Sequence, residues 1–229
     1  MTKYKCLVLD HDDTAVRSTP EINYPSFGAT LAELRPGIEM SLDEFLKYCF
    51  DPGFYPLCRD ILEFNDAEMK KEEEFWREYT RERVPTFYPG IAEIVREQKA
   101  CGGLVCVVSH SCADNISRDY RVHCGALPDM IFGNELGEAQ RKPNQFPLLE
   151  IMKEHNLAPH ELLVVDDLKL GYDMALGCGV PFACAGWSHT VPCVTKSMKQ
   201  ICERYLETVE DLRELLFRDG AGERGGADS

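Results

Sequence analysis

Five short apolar runs govern what this chain can fold into: Cys6–Leu9, Leu104–Val108, Met130–Phe132, 162–165 and Phe182–Ala185. Each is too short for a helix and rich in Val, Leu, Ile or Phe, as a strand covered on both faces should be. Helix-length segments at 113–123, 145–155 and 172–178 separate the later runs. That β-α-β rhythm predicts an α/β fold, a doubly wound parallel sheet with helices on both faces. Ligands of such a sheet sit beyond the carboxyl ends of its strands.

The interval between the first two runs breaks the rhythm. More than ninety residues separate Leu9 from Leu104, too many for a loop inside a compact domain. Helix signals fill the gap: Ser41-Leu42-Asp43-Glu44 reads as a capping box, and Asn65-Asp66-Ala67-Glu68 repeats the chemistry before a charged helix over 68–83. Thirteen of the 22 aromatic residues lie between Tyr24 and Tyr88, among them Phe45, Phe64, Phe75 and Trp76. A helical insert with its own small core is expected, some of whose rings also line a pocket. The expected division is an α/β core over 1–17 and 88–217, the insert over 18–87, and a tail over 218–229. A last helix at Val209–Phe217 precedes that tail, which is Gly-rich, polar and expected to stay mobile.

Charge excludes some partners. Thirty-nine Asp and Glu against 25 Lys and Arg leave a net charge of −14, which repels phosphate backbones and anionic lipid, so neither nucleic acid nor a membrane is expected as partner. No apolar run approaches the roughly 18 residues that span a bilayer, and 1–9 lacks the pattern of a secretory signal. A cytoplasmic location is therefore expected. The eleven cysteines contain no C-x-x-C pair and read as reduced thiols, several of them small core residues, rather than as disulfides or zinc ligands.

Four strand ends and loops carry candidate chemistry. The first run enters Asp10-His11-Asp12-Asp13-Thr14, where acids at i and i+2 emerge on one side of an exposed edge. Side by side they repel unless a hard cation or a shared proton relieves them, although a strand ending in a polar turn has the same composition. Val107-Val108-Ser109-His110-Ser111 places a hydroxyl at a second strand tip, where Ser also serves as a helix cap. Gln140-Arg141-Lys142-Pro143 holds a cation at a helix entry, and the run at 162–165 ends in Asp166-Asp167.

In this order, strand-Asp-x-Asp-x-Thr, strand-Ser, Lys-Pro and strand-Asp-Asp resemble the motif series of the haloacid dehalogenase-like superfamily, from about Tyr4 to Trp187. Tyr88-Pro89-Gly90-Ile91, Leu157-Ala158-Pro159 and the small-residue run over 174–179 resemble it too, and the insert lies where the family's C1 cap sits. The resemblance implies roles. Asp10 would be the nucleophile, forming an aspartyl-phosphate that is itself readily hydrolysed. Asp12 would protonate the leaving alkoxide and then deprotonate water. Asp10, the Asp12 backbone carbonyl and Asp167 would hold Mg²⁺, with Asp166 ligating through water or supporting the site from behind. Ser109 and Lys142 would bind phosphoryl oxygens, with His110 touching substrate from the same loop.

Asp12 distinguishes oxygen-phosphorus chemistry from dehalogenation in families of this kind. The implied function is a Mg²⁺-dependent phosphatase acting on a small phosphorylated metabolite, with a phosphomutase as the alternative. A phospho-ligand or protein-binding scaffold without turnover is the alternative of another class, and a monomer is favoured over an assembly. Four positions depart from the family pattern: Asp13 replaces a frequent Gly, His11 a usual apolar or aromatic residue, and Arg17 an acid common in C1-cap phosphatases. Gly171 stands where a further acid is common, leaving Asp173 as its fallback. The cap cations Arg35, Lys47 and Arg59 are candidate determinants of substrate preference. Cys112, close after Ser109, is read as structural.

Overall fold

The structure, a computed structural model, describes residues 2–217. Six parallel strands form one sheet in the order β3-β2-β1-β4-β5-β6. They are β1 (Cys6–Leu9), β2 (Leu104–Val108), β3 (Met130–Phe132), β4 (Leu162–Asp166), β5 (Phe182–Ala185) and β6 (Tyr205–Leu206). The five expected strands are all present, and β4 runs one residue further than expected. The two-residue β6 was not foreseen, being too short for a periodic signal. The expectation for the tail lies outside the described residues.

Alternation along each strand builds two apolar layers. Leu7 and Leu9 of β1, with Val105 and Val107 of β2, face α5 (Ile91–Ala100), α6 (Ala113–Cys124) and α10 (Val209–Phe217) through Ile94, Tyr120 and Leu212. Val8, Cys106 and Val164 face the opposite layer, α7 (Phe146–His155), α8 (Lys169–Cys178) and α9 (Pro192–Ile201), through Leu148, Met174 and Val194. All eight residues of β1 and β4 up to Val165 are at most 1% exposed, which explains their unbroken apolar runs. The chain winds outward from β1 to β3 and then returns to β4, so the switch point lies beside β1, where such sheets take their ligands.

The insert between β1 and β2 is helical. It comprises α1 (Tyr24–Leu34), α2 (Leu42–Tyr48), the single turn α3 (Phe54–Pro56) and α4 (Asp66–Glu82). Both expected capping boxes form: Ser41 with Glu44, and Asn65 with Glu68, each exchanging bonds with the other's backbone N–H. Phe27, Leu31, Phe45, Leu57, Leu62 and Phe64 make a separate apolar cluster. Phe75 and Trp76 lie outside it and are half-buried; the Trp76 indole N–H instead donates to Asn23 Oδ1 at 3.1 Å. The two connecting segments run side by side, Val16 bridging Phe87 antiparallel, with Arg17 N–H donating to Thr86 O at 2.9 Å and Tyr88 N–H to Ala15 O at 3.0 Å. Among the described residues no helix is long and apolar enough to cross a membrane, and the eleven cysteines are free.

Candidate active site

Register brings the candidate residues level. Leu9 lies opposite Val107 on one side and Val165 on the other, so the residues that follow leave the sheet at one edge. Asp10 N–H still donates to Val165 O at 2.9 Å, fixing the first acid against the fourth strand. Asp10, Asp166 and Asp167 are at most 5% exposed, and one carboxylate oxygen from each falls within 4.8 Å of the others. Lys142, reaching in from the loop before α7, donates to Asp10 Oδ1 at 2.6 Å and to Asp166 Oδ2 at 2.7 Å.

Three anions this close require compensation. Burial raises the Asp10 carboxyl well above its ordinary value; Lys142 opposes that, and Asp166, Asp167 and Asp12 add to it. Asp166 is also raised by burial against the pull of Lys142. Burial pushes the Lys142 ammonium down, but Asp10 and Asp166 more than offset this and hold it above the usual lysine value. Asp167 differs. Burial pushes its carboxyl up, yet the hydrogen bond and charge of His189, aided by Lys142, hold it below the usual range. His189 Nε2 lies 2.5 Å from Asp167 Oδ2, and Thr14 Oγ1 donates to Asp167 Oδ1 at 3.1 Å. The acids still outnumber the cations. The cluster offers only oxygens to a ligand, the donor set of a hard divalent cation, and Mg²⁺ fits it.

Asp12 turns away from that cluster. Its Oδ2 accepts from Ser111 Oγ at 2.6 Å and from Ser109 Oγ at 3.4 Å, while Ser111 N–H donates to Ser109 Oγ at 3.2 Å. The carboxylates of the Asp-x-Asp motif therefore have separate surroundings, one facing lysine and acids, the other facing hydroxyls. His110 Nε2 lies 3.1 Å from Lys142 O, joining the second motif loop to the lysine loop, and burial with Lys142 nearby lowers its pKa. Asp13 adopts φ 56°, the left-handed backbone for which Asp is one of the better non-glycine residues. It accepts from Thr19 N–H at 3.0 Å at the start of the insert, and burial raises its carboxyl to about 7.

Two further departures, Gly171 and His11, acquire physical reasons. A Cβ at Gly171 would stand 2.2 Å from Asp166 Oδ2 and 2.5 Å from Asp166 Cβ. Asp166 thus occupies the space a side chain at 171 would need, and its carboxylate belongs to the buried triad directly. Asp173 pairs with Lys169 on the surface of α8, outside the site. His11, 1% exposed, packs against Phe87 and Tyr120 as an aromatic ring would, and Nε2 lies 3.1 Å from Asp119 Oδ2. Arg118 donates to Asp119 Oδ1 at 2.7 Å and, at 2.6 Å, to Thr80 O near the end of α4, linking motif one to the insert. Beside them, His11, Asp12, Ser18, Asn23, Ser111 and Arg118 line a cavity of about 10 Å³ between core and insert, room for about one water.

Two of the cap cations are engaged within the insert. Arg35 donates to both oxygens of Glu68 and to the carbonyls of Leu62, Leu34 and Glu63, with its guanidinium over the Phe64 ring. Arg59 donates to Phe64 O and pairs with Asp66. Both hold the insert together; the insert residues that reach the cavity are Ser18, Ile22, Asn23, Thr80 and Pro85. Thr14, Ser111 and His189 contact the candidate acids without having been assigned a role from sequence. Thr14 and Ser111 stand inside the motifs themselves, whereas nothing in the sequence singles out His189. Cys112 occupies the N-cap position of α6 without a side-chain cap bond, its thiol contacting Asn134 Oδ1 and raised by burial, which suits a structural role.

Comparison with known proteins agrees with this geometry. No curated protein matches the chain. Solved structures similar in fold include one described as a predicted phosphoglycolate phosphatase from Haemophilus somnus, at TM-score 0.74 and 18% identity, covering 94% of this chain and 99% of that one. A haloacid dehalogenase-like family protein from Streptococcus pneumoniae aligns at TM-score 0.70 and 14% identity, over 92% and 97% of the two chains. CbbY from Rhodobacter sphaeroides, in complex with phosphate, aligns at TM-score 0.66 and 17% identity, over 91% and 96%. The family model for haloacid dehalogenase-like hydrolases matches residues 7–185, spanning every motif described above, and the chain belongs to that family.

Proposed function

We propose that this hydrolase is a Mg²⁺-dependent phosphatase that cleaves a small phosphorylated metabolite through an aspartyl-phosphate on Asp10. The observation that carries the reading is the buried triad of Asp10, Asp166 and Asp167 with Lys142 bridging two of its members. Mg²⁺ would be held by these carboxylates and the Asp12 backbone carbonyl, and when bound it offsets charge on the phosphoryl oxygens.

The side chains divide the work. Asp10 attacks phosphorus, and Lys142, released from its bond to Asp10, steadies the phosphoryl oxygens together with Ser109. Asp12, held by Ser111 and Ser109 apart from the other acids, gives a proton to the leaving oxygen. It then takes one from the water that cleaves the acyl phosphate. His110 positions the Lys142 loop through its contact with the Lys142 carbonyl. Residues 18–87 serve as a cap, excluding water during the first transfer and admitting one molecule for the second. The phosphate complex of the similar CbbY structure supports phosphate as the recognised group.

The test is hydrolysis of a minimal phosphate ester by wild type and Asp10→Asn. Wild type loses activity in excess chelator and regains it with Mg²⁺, and Asp10→Asn loses at least ~10³-fold in kcat while keeping its circular dichroism. Undiminished turnover in chelator, or an active Asp10→Asn, removes the reading.

A further inference from the structure

Lys142 serves only two of the three buried acids. Asp10 and Asp166 share its ammonium, whereas the Asp167 carboxylate is satisfied by Thr14 and by His189. His189 is 9% exposed and comes from the loop that follows β5, 22 residues beyond Asp167. Its two predecessors fasten that loop to the first motif. Trp187 donates its indole N–H to Thr14 O at 3.1 Å, and the Ser188 hydroxyl donates to Asp13 O. Three consecutive residues thus grip two backbone carbonyls of motif one and one carboxylate of motif four.

Gly171 shows why the grip is needed. A side chain at 171 has no room, because Asp166 fills the space it would take. Position 171 on α8 thus offers no side chain to the acid cluster, whereas the β5 loop supplies Asp167 with a partner. We infer that His189 is a positioning residue for the cation site: by donating from Nε2 to Asp167 Oδ2 it fixes that carboxylate for Mg²⁺. This rests on the phosphatase reading only in taking Mg²⁺ as the ligand. Each carboxylate oxygen carries two lone pairs, so the bonds from His189 and Thr14 leave Asp167 free to ligate. Without the donor, Asp167 relaxes away from its two anionic neighbours and the site loses its shape before any substrate arrives. Partners of this kind behind a metal ligand typically contribute 10- to 100-fold in affinity.

The experiment titrates Mg²⁺ alone, by calorimetry, into wild type, His189→Gln, His189→Asn and His189→Leu. The Gln side-chain amide reaches the position of Nε2 and offers an N–H there; Asn is too short. The expected order is wild type close to Gln, with Asn and Leu weaker by about 10- to 100-fold. The rise in Tm on adding Mg²⁺ should shrink in the same two variants. If Leu fails to fold, the Gln and Asn pair still decides. Equal affinity across wild type, Gln and Asn overturns the role of His189, as does an equal loss in Gln and Asn. A wild-type protein that takes up no Mg²⁺ overturns this role together with the reading beneath it, which separates the two failures.

Discussion

Ionic groups at the carboxyl end of the sheet and ionic groups in the helical insert are placed under opposite rules. At the sheet edge Asp10, Asp166, Asp167 and Lys142 are all less than a tenth exposed, and each is held by a specific partner. In the insert the pairs ride outside an aromatic core: Arg59 and Asp66 keep 41% and 97% of their side-chain surface, Lys71 and Glu33 40% and 48%. Removing one partner of a buried pair strands an uncompensated charge, at a cost of about 3–5 kcal/mol, whereas an exposed pair contributes about 0–1 kcal/mol. The core therefore concentrates charge where chemistry needs it. The insert uses charge as stitching and draws its stability from Phe27, Phe45 and their neighbours.

The contrast breaks most visibly at Asp12. Asp12→Asn should lower kcat by about 10²- to 10⁴-fold for esters with poor leaving groups, and much less for good ones, because only the former need the proton. Equal losses for both would take the acid role from Asp12. In the insert, Phe27→Ala should cost about 3–5 kcal/mol of stability, measured by denaturant unfolding, since Phe27 is 1% exposed and touches Phe45 and Phe54. The buried triad of the same variant should still take up Mg²⁺.

Glu72, on α4, is the insert's exception, being 8% exposed. Burial, with Glu73 adding to it, raises its carboxyl from 4.5 to about 7. The folded state then binds the proton more tightly than the unfolded chain, so this contribution is complete below about pH 4.5 and is lost as pH rises through about 7. Glu72→Gln should accordingly be more stable than wild type at pH 8 by about 1–3 kcal/mol. The gain should fade toward pH 5, and a gain independent of pH would show that Glu72 is not the titrating group. Smallest of all, Arg59→Ala should change stability by about 1 kcal/mol or less, with substrate preference unchanged. An altered ratio of kcat/KM values between two esters would return Arg59 to the substrate side of the insert.

Much of this was legible in the chain because the signals are local. An apolar run of four or five residues ending in acid announces a buried strand with a functional tip, and β1 and β4 follow that rule residue by residue. Capping boxes are equally local, and Ser41 and Asn65 form them as written. Legibility failed where a role depends on what folds nearby. His189 stands in a loop without any motif, and only the closure of β5 beside β4 brings it to Asp167. Arg35 and Arg59 stand in the sequence as candidate determinants of substrate preference, and their contacts with the carbonyls of Leu62 and Phe64 could be seen only once the helices of the insert were in place. The two residues of β6 are below the length at which alternation can register.

The contact between Gly171 and Asp166 also constrains how such a site can change over generations. A chain with Asp at 166 cannot gain any side chain at 171 without a collision at 2.2 Å, so exchanging one acid for the other is not a matter of two independent steps. The order is imposed: position 166 must first shrink, passing through a variant with one fewer carboxylate, before position 171 can take up an acid. Each arrangement is thus a separate basin in sequence space, with a weakened intermediate on the ridge between them. In this chain the adjacent aspartates and the glycine at 171 are tied to one another by van der Waals radii.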